Sequence, residues 1–206
     1  MLNLVNRAPH SIVSLIGAEV YRQRCGLLTS VGSRHHPRNA IAYGARWALD
    51  NDCFKAYKPD AIHRTLERYA GMPGCLFAVC PDVWGDATAT LLLFWAWVGT
   101  YQRLGYPVAF VAQDGIEHIH IPWDSFDVLF LGGSNQFKYS AALRAVVKEA
   151  KRRGKWVHHG RCNTPQRILY SAFIGCDSWD GTHYTIEPQS VKKHLWLEGL
   201  KQPVLF

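Results

Sequence analysis

The chain has 206 residues, of which 48% are hydrophobic and 19% charged, and its formal net charge is +7. That length suits one domain with a substantial core, and that composition excludes a disordered or low-complexity chain. The longest apolar stretch, over 91–98, is too short to span a bilayer, and no leader-like segment opens the chain, so no membrane association and a cytoplasmic setting are expected.

Taken in chain order, short apolar runs over 11–16, 26–31 and 45–49 predict three strands. Pro59 opens a helix over 59–69. A buried strand follows over 75–80. Asp86 N-caps a long helix that runs through Arg103 and stops at Gly105. Strands are expected over 107–112 and 128–131, then an amphipathic helix over 137–153 closed by Gly154. A strand over 155–159, a helix over 165–174 and a strand over 178–180 complete the pattern, with one more short helix over 191–197. Eight candidate strands alternate with helices, and continuous apolar strands imply a parallel sheet covered on both faces. The expected fold class is α/β: a compact (β/α)8 barrel forming a single domain over 1–206. At this length some helices must be reduced, between the early strands and after Gly115. An open doubly wound sheet is the alternative.

Several apolar runs end in a polar group where a strand would stop: Leu49-Asp50, Pro81-Asp82, Ala112-Gln113-Asp114 and Trp179-Asp180, with Gly132-Gly133 ending another. Any one such Asp reads as a helix N-cap. Together they read as carboxylates delivered by separate strands to the carboxyl mouth of a barrel, which points to acid/base or nucleophilic chemistry. No dinucleotide-binding or phosphate-loop glycine motif and no nucleophile elbow is present, which lowers nucleotide-cofactor enzymes and serine hydrolases; no cofactor is expected. The six cysteines form no Cys-x-x-Cys pair and no zinc spacing, so free thiols and no metal centre are expected. The positive charge favours a polyanion, nucleic acid first, with basic residues gathered at Arg22, Arg24, Arg34 and Arg38 and again at Arg144, Lys148, Lys151, Arg152, Arg153 and Lys155.

Five segments, in order, resemble those of the tRNA-guanine transglycosylase superfamily, most of all its phage relatives that insert 7-deazaguanines into DNA. Trp47-Ala48-Leu49-Asp50-Asn51-Asp52-Cys53-Phe54 resembles the family's Asp-Ser-Gly-Gly-Phe segment. Phe77-Ala78-Val79-Cys80-Pro81-Asp82 resembles the strand whose terminal Asp reads the base, and Val108-Ala109-Phe110-Val111-Ala112-Gln113-Asp114-Gly115 its Val-Gln-Gly strand. Phe126-Asp127-Val128-Leu129-Phe130-Leu131-Gly132-Gly133 resembles the Gly-Gly strand, and Ile174-Gly175-Cys176-Asp177-Ser178-Trp179-Asp180 the segment that carries the nucleophile.

The resemblance implies a barrel that exchanges guanine in a polynucleotide for a free 7-deazaguanine through a covalent intermediate. It makes Asp180 the nucleophile, with Asp177 as a rival because the last motif registers on either, and Asp50 the general acid/base. Asp82, Gln113 and the amides of Gly132 and Gly133 would read the base, Phe54 would stack on it, and His158, His159 and Gly160 would line its pocket. Two departures stand out. Asp52-Cys53 replaces the family's Gly-Gly, and the zinc-binding segment of the tRNA enzymes does not follow Asp180 before Phe206. The second departure favours DNA over tRNA as the polymer, with the DNA of a phage or mobile element as the setting. A homodimer is possible. The alternatives are the same chemistry on tRNA, a non-catalytic nucleic-acid-binding partner subunit, and a nucleoside or small-sugar hydrolase.

The residue types suit this chemistry independently of the resemblance. A carboxylate can trap the oxocarbenium-like centre left when an N-glycosidic bond breaks. A second carboxyl group can protonate the departing base. A carboxylate such as Asp82 suits guanine's N1–H and amino donors. Phe54, Tyr57 and Trp84 near the mouth are candidates to sandwich a flipped base.

Overall fold

The computed structural model describes residues 1–5 and 9–181. Eight parallel strands close into a barrel in sequence order: β1 (Leu2–Val5), β2 (Cys25–Ser30), β3 (Arg46–Asp50), β4 (Cys75–Val79), β5 (Val108–Ala112), β6 (Val128–Leu131), β7 (Trp156–His159) and β8 (Ser178–Asp180). The ring closes where β1 pairs with β8, with Leu2 opposite Ser178 and Leu4 opposite Asp180. This is the expected (β/α)8 barrel, and the open sheet is excluded by that closing pair.

The helices are α1 (Pro9–Ile16), α2 (Ala18–Arg24), α3 (Arg38–Ile41), α4 (Pro59–Tyr69), α5 (Ala87–Arg103), α6 (Asn135–Lys138), α7 (Ala141–Arg152) and α8 (Pro165–Phe173). The outer ring is thin where expected. Between β2 and β3 stands only the four-residue α3, and between β5 and β6 only two 3-10 turns, Ile116–His118 and Trp123–Ser125. Asp86 caps α5 by accepting from the Ala89 amide, and the chain turns away after it at Gly105, whose φ is 75°. Among the described residues no helix is long and apolar enough to cross a membrane.

Two expectations are corrected. Residues 11–16 are not the first strand; they lie in α1, which buries Pro9 and Ile12, and Leu2–Val5 takes the strand position instead. A short apolar run fits either period, and pairing of β1 with the distant β8 decides the matter. The single helix expected over 137–153 is two, because the Ser140 hydroxyl accepts from the Leu143 amide and starts α7 afresh. The helix expected over 191–197 lies outside the described residues.

Strand alternation divides the core into two layers. Leu4, Leu28, Ala48, Phe77, Val79, Ala109, Val111 and Val128 fill the barrel, with Phe130 and Trp156 packed against them. Their neighbours Val5, Leu27, Trp47, Leu49, Ala78, Phe110, Leu129, Val157 and Trp179 point outward to the helices. Following the inward positions two residues at a time leads from Ala48 to Asp50, from Val111 to Gln113, from Phe130 to Gly132, from Trp156 through His158 to Gly160, and from Ser178 to Asp180. Those end points are where a polar residue reaches the mouth without disturbing the apolar interior.

Candidate active site

A cavity of about 140 Å3 opens at the carboxyl ends of the strands, lined by Asp50, Asp82, Gln113, Phe54, Arg161 and Asp180 among others. It is well below the roughly 300–1,000 Å3 of typical small-molecule sites, so it suits one small ring at a time. Val79, Val111 and Phe130 form its apolar floor. Among the described residues no group of His, Cys, Asp and Glu is placed to hold a metal ion.

Four carboxyl groups line the cavity; Asp52 is paired with Lys55 at the rim, and Asp180, Asp82 and Asp50 have different surroundings. Asp180 ends β8 and is held from beneath by a chain of hydrogen bonds through the barrel interior. The Trp156 indole N–H donates to Ser178 Oγ at 2.8 Å, and Ser178 Oγ lies 2.8 Å from His158 Nδ1. His158 Nε2 lies 3.0 Å from Asp180 Oδ1. A carboxylate only accepts, so His158 carries its hydrogen on Nε2. Nδ1 then accepts from the Ser178 hydroxyl, and every member is satisfied. The imidazole is fixed by packing against the rings of Phe77 and Phe130, with centroids 5.1 and 4.8 Å away. The Arg161 amide also donates to Asp180 Oδ1, at 3.3 Å. Both bonds fall on Oδ1, and Oδ2 has no hydrogen-bond partner among the described residues.

Asp82 is bracketed by amides. Asn51 Nδ2 donates to its Oδ1 at 2.7 Å and Gln113 Nε2 to its Oδ2 at 2.6 Å. Asn51 also donates to the Cys80 carbonyl and accepts from the Cys53 amide, tying the ends of β3 and β4 together. Burial raises Asp82 above the usual carboxylate range, against the pull of these two amides. Among the described residues the Asp50 side chain has only a long bond, 3.4 Å, from the Asp52 amide. Burial, and then the neighbouring Asp180, raise it from 3.8 to about 7.

The rim is aromatic and cationic. The Arg161 guanidinium stacks 3.5 Å above the Phe54 ring centre, and Trp84 meets Phe54 edge-on at 6.2 Å. Phe54 and Trp84 are both more than half exposed. Asp52 has a φ of 57°, so the loop keeps a glycine-like turn although an aspartate stands where the resemblance has glycine.

Several expected roles change with this geometry. Asp177 precedes β8 at the opposite end of the barrel, where it accepts from the Val157 amide and pairs with Lys151 at 2.6 Å, so it is not a rival nucleophile. His159 points outward and bonds Ser171 of α8, and burial holds it down at about 3; it does not line the cavity. Only His158 of that pair faces inward, as alternation requires. Gln113 is committed to Asp82 and, through its carbonyl, to the Gly85 amide, so it orients Asp82 rather than reading a base itself. The Gly132 amide donates to the Ala112 carbonyl and is not free for a base. A side chain at Gly132 would come within 2.9 Å of Gln113 Nε2, and one at Gly133 within 2.6 Å of Asp114, so both glycines make room for protein groups. Gly160 lines the cavity, and a Cβ there would meet the Phe130 ring at 2.8 Å.

Asn51 and Lys138 are site residues that sequence reasoning passed over, and Arg161, which in the sequence reads as a phosphate contact or a surface cap, stacks on Phe54 at the rim. Lys138 sits in the wall at the end of α6, 5% exposed, with burial lowering it to about 8. In the sequence it reads as one more polar residue of an amphipathic helix.

No family model matches the chain, and no curated protein matches it. Solved structures do. One described as "Native KDPGal structure" matches with a TM-score of 0.57 at 17% identity, over 100% of this chain and 95% of that one. An HpcH/HpaI aldolase from Desulfitobacterium hafniense DCB-2 matches at 0.49 and 12%, over 99% and 93%. The PaMucR phosphodiesterase in complex with c-di-GMP matches at 0.42 and 13%, over 68% of this chain and 60% of that one. At such identities the likeness is one of fold alone.

The raised Asp50 has a consequence for stability. Between about pH 4 and 7 the folded protein holds a proton there that the unfolded chain has lost, so stability falls as pH rises through that window. Asp50→Asn does not titrate. It is expected to melt a few degrees above the wild type at pH 8 and with a much smaller advantage at pH 5. Thermal melts at the two pH values check this; equal differences at both would refute it.

Proposed function

We propose that this barrel is an enzyme that exchanges a guanine in a nucleic acid, DNA in preference to tRNA, for a free 7-deazaguanine base through a covalent Asp180 intermediate. The observation that carries the reading is the pairing, in one small cavity, of a carboxylate with one oxygen held and one open and a second carboxyl that retains its proton near neutrality. Environments that push two carboxyl groups apart assign the nucleophile and the acid.

In this reading Asp180 Oδ2 attacks C1′ of the nucleoside. The C1′–N9 bond breaks, its electron pair leaves with the base, and Asp50 supplies a proton to that base. The incoming base then gives its N9 proton to Asp50, attacks C1′, and displaces Asp180. The His158 chain and the Arg161 amide hold one oxygen of the nucleophile and orient the other toward the cavity. Asp82, steadied by Asn51 and Gln113, accepts from the base's N1–H and amino group. The Phe54–Arg161 stack and Trp84 present flat surfaces to a base turned out of its helix.

A nucleic acid as the partner is supported by a groove of about 560 Å3 beside the mouth. Lys58, Arg64 and Arg68, all exposed, line it together with the Gly32–Ser33 turn, and no acidic residue does. The groove adjoins the site, because the Val31 amide donates to the Asp50 carbonyl at 3.2 Å. Three cations on one wall suit a phosphodiester chain whose base enters the cavity. The preference for DNA rests on the sequence resemblance. The left-handed turn at Asp52 supports an intact first motif and speaks against a decayed, non-catalytic barrel.

Labelled guanine and 7-deazaguanine bases, offered with duplex DNA, single-stranded DNA and bulk tRNA, test this. Label is expected in DNA, and Asp180→Ala should reduce its entry by about a thousandfold or more. Label entering tRNA would change the polymer and keep the chemistry; label entering neither, or undiminished in the variant, would overturn the proposal. The groove has its own test. The Arg64→Ala/Arg68→Ala double variant should bind DNA more weakly and flatten the slope of log affinity against log salt by about 1.4 to 1.8. An unchanged slope would place the phosphates elsewhere.

A further inference from the structure

Lys138 is a buried lysine with no carboxylate partner among the described residues. Its ammonium donates to the Gly160 carbonyl at 2.6 Å. The next amide along the chain, that of Arg161, donates to Asp180 Oδ1 at 3.3 Å. The Gly160 carbonyl and the Arg161 N–H belong to one planar peptide unit. That unit therefore has a cation at its oxygen and a carboxylate at its nitrogen, so both charges polarise it in the same direction.

We infer that Lys138 is a positioning residue that acts on Asp180 through the Gly160–Arg161 peptide, which it orients and polarises into a stronger donor to the carboxylate.

Three features hold that peptide in its unusual orientation. Arg161 has a φ of 63°, a conformation a non-glycine residue adopts only when its surroundings impose it. The Arg161 side chain is pinned on Phe54, and the Cys162 amide donates to the Asp180 carbonyl at 2.6 Å. Gly160 allows the close approach to the Phe130 ring that this path needs. Hydrogen bonds in series strengthen one another where water is excluded, so a cation at the far end of the peptide is felt at Asp180. The titratable groups around Lys138 are Asp180 on β8, Arg161 and the Cys162 thiol on the loop after β7, and Arg167 on α8, with His159 of β7 nearby; burial pushes Cys162 up to about 12, so it is uncharged below that. Burial, then Arg161 and Arg167, work against the ammonium and Asp180 favours it, with the net result that it is lowered to about 8.

The catalytic consequence rests on the reading of Asp180 as nucleophile, but the relay itself can be tested without activity. In NMR spectra of the wild-type protein the Arg161 amide proton is expected to move upfield between pH 7 and 9 as Lys138 loses its charge. The Asp180 side-chain carboxyl carbon should show the same step near pH 8, beside a separate one near pH 7 from the neighbouring Asp50, and only the step near pH 8 should vanish in Lys138→Met. In Lys138→Met the Arg161 amide should already lie upfield at pH 7 and its response to pH should be gone, while amides far from α6 keep their wild-type positions. Base exchange by that variant should slow about tenfold with half-saturating DNA unchanged. A wild-type Arg161 amide that is flat across pH 7 to 9, or unmoved in a folded Lys138→Met, would overturn the relay. Failure of base exchange with the NMR responses intact would overturn the function and leave the relay standing.

Discussion

In a closed parallel barrel every second residue of a strand faces inward, and all eight carboxyl ends open on one rim. The site depends on that constraint. The interior is apolar for most of its depth, filled by Leu4, Leu28, Phe77, Val79, Ala109 and Val111. A polar residue at an inward position is tolerated only at the rim or where a complete set of partners meets it. Asp50, Gln113 and Asp180 meet the first condition. His158 and Ser178 meet the second, because Trp156 and Asp180 complete the chain at either end. The same rule turns His159 and Trp179 outward, although each is next to a site residue in sequence.

The fixed spacing of the strands then sets the electrostatics. Four carboxyl groups share a small cavity, one of them, Asp52, paired with Lys55, and like charges at that range cannot all be expressed equally. The protein separates them by the donors it supplies. Asp180 receives an imidazole and a backbone amide, Asp82 receives two side-chain amides, and Asp50 receives almost nothing and keeps its proton to about pH 7. Lys138, Arg161 and Lys55 line the cavity with positive charge, the first buried in the wall, the second stacked across the rim and the third paired with Asp52. This division gives chemically similar residues different surroundings.

Much of this was legible in the sequence. The bounds of α4, the Asp86 cap of α5 and strands β5 to β8 follow from period, proline and glycine, which are local signals. The placing of Asp50, Asp82 and Asp180 on one rim follows from each standing where an apolar run ends. What stayed hidden depends on contacts between distant parts of the chain. Leu2–Val5 becomes a strand because β8 lies beside it, and nothing in four residues announces that. Asp177 and Asp180 look interchangeable until the strand is given a direction; then one is at the floor and the other at the mouth. Gln113 ends its strand as expected, yet its amide is turned onto Asp82 and Gly85, and Gly132 is glycine to make room for it. Lys138 and the left-handed backbone at Arg161 could not be read, since they meet at the two ends of a single peptide unit.

The central claim is that Asp180 forms a bond to the sugar. Denaturing electrophoresis after incubation with guanine-containing DNA, followed by mass mapping of any protein–DNA adduct, tests it most directly. The account predicts an adduct on the peptide that carries Asp180, absent in Asp180→Asn and released when free base is added. An adduct that appears only after hydride reduction and maps to Lys138 would contradict it, as would the absence of any adduct under conditions where base exchange proceeds.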